Sequence, residues 1–208
     1  MNKQKFAKAA GISDALAEKW FSHITAAAKE FGIDTPKRLA HFIAQIGTES
    51  NGFRSVSESL NYSVAGLAIF GNRLTPLQRE QLGRKMNETA LSADRQAAIA
   101  NRVYGGRYGN TESGDGWKYR GRGLKQVTFR DNYAACGKAL GLDLVASPDL
   151  LLTDANAARS AGWFWKANNC NQFADAGDVT SLTKRINGGT NGLDDRKYRT
   201  KLAESVLC

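Results

Sequence analysis

Cysteine, histidine and long apolar runs are all scarce in this chain of 208 residues, and each scarcity removes a class of protein. The three cysteines, Cys136, Cys170 and Cys208, are scattered and odd in number, so they cannot form a disulfide framework and at least one thiol stays free. None stands in a C-x-x-C pair, and His23 and His41 are the only histidines, which leaves too few ligands for a zinc site. No metal and no cofactor is expected. Each histidine reads as a buried or surface residue rather than a base. No stretch is long and apolar enough to span a bilayer, and Met1 to Ala10 interleaves lysines with polar residues without the apolar centre of a signal peptide. Membrane insertion is therefore not expected. Negative charge is also in deficit: 20 acidic residues face 29 Lys and Arg, and the net charge of +9 predicts attraction to a polyanion such as nucleic acid, anionic lipid or an acidic cell wall.

What is present reads mostly as helix, in one domain spanning 1–208. After Ser13, the residues Leu16, Trp20, Ile24, Ala27 and Phe31 repeat at spacings of three and four, and Gly32 is a natural stop. Thr35 can cap a second helix with Pro36 at its first position, and Leu39, Phe42, Ile43 and Ile46 form its core-facing stripe. Residues 50–63 lose this period and read as a loop. Shorter amphipathic pieces, Pro76 to Met86 and Ala90 to Val103, suggest a small arginine-rich helical lobe over 64–103. Tyr104 to Gly123 is too rich in glycine for a regular helix. Helical signals resume around Tyr133 to Leu140, Ala158 to Trp165, Val179 to Ile186 after the capping Asp178, and a last helix carrying Tyr198, Leu202 and Val206. No repeat supports a solenoid.

Two carboxylates stand out. Glu49 is seven residues after Phe42, so it projects from the apolar side of its helix if that helix continues, and a buried carboxyl resists ionisation. If the helix ends near Gly47, Glu49 is instead a solvated surface acid. Glu58 follows nine residues later in the loop. Such a pair suits glycosidic bond cleavage, which needs one protonated and one ionised carboxyl group. The segment Tyr119-Arg120-Gly121-Arg122-Gly123-Leu124-Lys125-Gln126-Val127-Thr128 adds glycines for close backbone approach and polar side chains for a ligand. It lacks both the P-loop and the dinucleotide pattern. Its aromatic and cationic mixture would also suit stacked bases, a rival reading that leaves the two glutamates unexplained.

In combination these residues resemble glycoside hydrolase family 19, the chitinase-like group that includes phage endolysins. The resemblance runs from about residue 39 to 199. It rests on Ala44-Gln45 leading to Thr48-Glu49-Ser50, Glu58-Ser59-Leu60-Asn61-Tyr62-Ser63, Tyr119-Arg120-Gly121-Arg122-Gly123, Gln126-Val127-Thr128, Asn132-Tyr133, Pro148-Asp149-Leu150, Trp163-Phe164-Trp165 and Ile186-Asn187-Gly188-Gly189. It implies a mainly α, lysozyme-like fold with a substrate cleft between a larger lobe and a small helical lobe, and an inverting mechanism. Glu49 is then the general acid, Glu58 the general base, and Thr128 the hydroxyl that helps hold the attacking water. Tyr62, Gln126, Asn132 and Asn187 match positions that contact the sugar or tune the acids, and Arg196 or Arg199 matches the family's C-terminal arginine. Asn187 would serve equally as a helix-capping residue before Gly188-Gly189. Lys125 departs from the family pattern, where an apolar residue is usual, and so does Asp131, where many members carry an aromatic one.

The implied partner is the glycan strand of peptidoglycan, with no nucleic acid, and the implied state is a monomer. The implied route is synthesis in a bacterial host's cytoplasm and action on the wall after another protein permeabilises the membrane. Chitin is the second substrate. A lytic transglycosylase and a non-catalytic wall- or nucleic-acid-binding module are the remaining alternatives.

Overall fold

The computed structural model describes residues 1–208. The chain folds into helices joined by short loops: α1 (Lys3–Ala10), α2 (Asp14–Glu30), α3 (Pro36–Glu49), α4 (Pro76–Leu82), α5 (Ala93–Tyr104), the single turn α6 (Asp115–Lys118), α7 (Arg130–Leu140), α8 (Asp154–Ala167), α9 (Cys170–Ala176), α10 (Val179–Asn187) and α11 (Leu193–Leu207). Two 3₁₀ segments, Gly66–Arg73 and Pro148–Leu152, complete the set. Capping explains several boundaries. The side chains of Ser13, Thr35 and Asp178 each accept from a backbone N–H in the first turn of α2, α3 and α10, which satisfies an otherwise orphaned donor. α3 runs past Gly47 and ends at Glu49. The stretch from Pro76 is helical only to Leu82, and α1 and α9 are not evident from periodicity.

The main core gathers Trp20, Ile24, Phe42, Ile43, Ile46 and Trp165 from α2, α3 and α8. Phe42 and Trp165 meet edge to face at 5.3 Å. Each such fully buried side chain contributes roughly 1.5–3 kcal/mol by leaving water, so α3 is fixed as a rigid strut. Trp20 Nε1 donates to the Phe53 carbonyl at 2.9 Å, tying α2 to the turn that follows α3. α11 lies along α3. Tyr198 is exposed and Leu202 and Val206 are partly buried, while Arg196, Thr200 and Ala203 turn inward, Arg196 meeting the polar end of α3. Thr48 Oγ1 donates to Asp195 at 2.7 Å across this contact.

Two further apolar clusters flank the first. Tyr119, Val127, Tyr133, Cys136, Leu140 and Leu151 form one around α7. Leu60, Leu67, Leu74, Leu91, Ile99 and Val103 form another, which packs the residues between the Glu58 loop and α5. There is no sheet, but isolated bridges join Ser57 to Arg122 and Arg122 to Val127. These short pairings carry the Glu58 loop onto the glycine-rich segment.

Candidate active site

Glu49 is the last residue of α3, and its side chain is 13% exposed. The sheltered position agrees with the apolar stripe that precedes it, but the recess itself is cationic. Lys125 Nζ donates to one carboxylate oxygen at 3.1 Å, and the guanidinium of Arg196 donates to the other. Arg196 is itself buried and donates a second bond to Gln45 Oε1 at 2.5 Å. Two cationic donors on one carboxyl group make a polar socket, which corrects the expectation of an apolar pocket. Periodicity located the side of the helix; it could not reveal that α11 and the 121–128 segment bring charges to meet it.

Glu58 is held differently. The Tyr104 hydroxyl, at the end of α5, donates to one of its oxygens, and the Gly121 N–H donates to the other at 3.1 Å. The Glu58 N–H in turn donates to the Gly121 carbonyl at 2.9 Å. Glu58 lies in the loop, as expected, and is half-buried there. Burial, and then the charge of Glu58, push the phenols of Tyr104 and Tyr62 upward, so both remain protonated donors beside it. Gly121 permits this approach: a Cβ there would stand 2.7 Å from Gln126 Oε1 and 3.2 Å from the Glu58 Cβ.

One short segment therefore touches both carboxylates, Gly121 binding Glu58 and Lys125 binding Glu49. The same segment continues into a hollow of about 370 Å³ bordered by Lys125, Gln126, Thr128, Asn132, Trp163, Phe164 and Asn168. Its backbone is strained. Gln126 has φ 61°, and Phe129 has φ 75° with ψ 143°, a combination that costs a non-glycine residue about 1–3 kcal/mol. Packing holds it there. The Gln126 side-chain amide donates to the Gly123 carbonyl at 2.9 Å, and the Phe129 ring meets Tyr104 at 5.4 Å and Tyr108 at 4.9 Å. Thr128 Oγ1 donates to the Gln126 carbonyl at 3.1 Å, which leaves its oxygen lone pairs free to accept, and Asn132 Nδ2 donates to the Thr128 carbonyl at 2.8 Å.

Glu49 is thus joined to Arg196, and Glu58 lies within electrostatic reach of Tyr62, while Gln126, Thr128 and Asn132 border the hollow, which neither glutamate does. Asn187 is not among the residues bordering that hollow; it is exposed at the end of α10, where Gly188 stops the helix with φ 79°. Lys125 and Tyr104 went unassigned in the sequence. The departure of Lys125 from the family pattern was the available signal for the first, whereas nothing local marks Tyr104, which is 46 residues from Glu58. The cations of the segment are engaged within the protein. Arg122 is buried against Asp149 at 2.8 Å and donates to the Tyr133 hydroxyl at 3.0 Å, and Arg120 lies 3.7 Å over the Trp117 ring.

The family model described as chitinase class I matches residues 91–185. A glycosyl hydrolase family 19 domain-containing protein of Haemophilus influenzae is 39% identical over 196 residues, spanning 89% of this chain and 92% of its own length. Chitinase 2 of Oryza sativa is 45% identical over 104 residues, which covers 39% of this chain and 31% of that protein. Among solved structures, chitinase C of Streptomyces griseus matches 99% of this chain and 76% of its own, with TM-score 0.61 and 19% identity. A bacterial family 19 chitinase matches 97% of this chain and 94% of its own, with TM-score 0.58 and 20% identity. At that identity these likenesses establish the fold, which is mainly α and lysozyme-like.

Proposed function

The chain belongs to glycoside hydrolase family 19 and is a glycoside hydrolase of the chitinase-like kind, and from that premise we propose that it is an endolysin cutting β-1,4 bonds of bacterial peptidoglycan. The observation that carries the two-carboxylate mechanism is the contact of one segment with both Glu49 and Glu58. In this reading the sugar chain lies across that segment. An incoming saccharide displaces Lys125 from Glu49, freeing that oxygen to take up a proton from solvent while Arg196 holds the other. Glu49 then gives its proton to the leaving glycosidic oxygen. Glu58 takes a proton from a water that attacks the anomeric carbon from the opposite face, and Thr128 accepts a hydrogen bond from that water. Inversion follows if the two carboxyl groups stand about 6.5–9.5 Å apart, leaving room for the water.

The net charge of +9 supports an anionic wall polymer over neutral chitin. The proposed setting is a chain made in a bacterial host's cytoplasm that reaches the wall as a monomer after the membrane has been breached. No helix is long and apolar enough to cross a membrane. A chitinase is the second reading, favoured by the name of the Oryza sativa relative. The internal engagement of Arg122 and Lys125 argues against a nucleic-acid-binding module at this segment. The test compares lysis of permeabilised Gram-negative cells with hydrolysis of chitin oligomers, for wild type and for Glu49→Gln. Wall lysis by wild type and a loss of at least about a hundredfold in the variant, with inverted product, are expected. Chitin cleavage without lysis rejects the substrate, and undiminished lysis by the variant rejects the acid.

A further inference from the structure

A second hollow adjoins the first, and Asn168, just past the end of α8, borders both. It has a volume of about 430 Å³ and is otherwise bordered by Phe173, Ser181, Lys184 and Arg185. No acidic side chain borders either hollow. Lys184 and Arg185 take no part in any of the protein's salt bridges. Asp178 feels the charge of Lys184, but its carboxylate is occupied in capping α10, where it accepts from the Ser181 N–H at 2.9 Å. The Arg185 guanidinium lies 5.8 Å over the Phe173 ring, and the Lys125 ammonium lies 4.6 Å over Phe164, so cation and aromatic pairs recur along the path. Arg185 and Lys125 both lie within electrostatic reach of the buried Cys170 thiol.

We propose that this second hollow holds the peptide stem of peptidoglycan, with the stem's free carboxylates facing Lys184 and Arg185, while the glycan occupies the first hollow. The inference rests on the peptidoglycan reading above. Chitin has no anionic branch, so the same cations gain nothing from it. A stem leaving the glycan beside Asn168 meets unpaired positive charge and an aromatic face, without the cost of breaking an existing ion pair. Exposed pairs are individually weak, so the contribution is one of affinity and substrate choice rather than of chemistry.

The experiment uses soluble glycan fragments with peptide stems intact and the same fragments freed of stems by an amidase. For Lys184→Gln/Arg185→Gln, KM on the stem-bearing fragments is expected to rise about five- to tenfold with kcat retained, and both constants on the stripped fragments to stay as in wild type. Lys184→Arg, which keeps the charge, should behave as wild type on both. An unchanged KM on stem-bearing fragments overturns the proposal, and so does an equal loss on the two substrates. If wild type cleaves chitin oligomers but neither wall fragment, the peptidoglycan reading itself fails and this inference falls with it.

Discussion

Glu49 and Glu58 are held by opposite kinds of donor on opposite kinds of scaffold. Glu49 ends a helix embedded in the main core, and two cations grip it. Glu58 lies on an irregular loop registered by a few backbone bonds, and a phenol and a peptide N–H, both neutral, hold it. The difference teaches where each site is vulnerable. On the helical side the position is secured by packing and the charge balance is critical. On the loop side the charge is lightly balanced and the position is critical.

Removing charge from the helical side should have the largest effect. Arg196→Ala leaves Glu49 with Lys125 alone and strips Gln45 Oε1 of its donor, so a loss of about 3 kcal/mol in unfolding free energy is expected from chemical denaturation, with activity below roughly one hundredth. A variant as stable as wild type would mean that the cationic socket is not a structural requirement. Displacing the loop side comes next. Gly121→Ala puts a methyl against the Glu58 Cβ, and overpacking of this kind costs about 1–3 kcal/mol; activity should fall by more than the melting temperature suggests. The smallest change is Tyr104→Phe, which keeps the ring against Phe129 and removes only the hydroxyl. A hydrogen bond to a charged group contributes about 1.5 kcal/mol, so kcat/KM should drop by about tenfold while stability changes little. If Tyr104→Phe were as damaging as Arg196→Ala, the contrast between the two sides would disappear.

The helical side was the more legible one. Thr35, Pro36 and the stripe from Leu39 to Ile46 define α3 by rules that act within one or two turns, and Glu49 follows from their phase. The identity of its partners did not follow, because Arg196 is 147 residues away and α11 hides its inward face behind a polar surface. The loop side resisted for the same reason. Tyr104 reaches Glu58 only after α5 is packed beside the loop, and the positive φ of Gln126 and Phe129 contradicts what either residue prefers locally. The family resemblance named Thr128, Gln126 and Asn132 without supplying this geometry. It also carried Asn187, which, like the two glutamates, does not border the hollow.

The cysteines have a practical corollary. Burial pushes the thiols of Cys136 and Cys170 up to about 12, whereas Cys208 is exposed just beyond the helix whose other end carries Arg196. The thiolate is the form that attacks thiol-directed reagents, so a maleimide dye should couple at one place without mutagenesis. That gives a ready optical tag at the end of α11, away from the residues bordering the hollow, for following how the enzyme settles on an insoluble glycan.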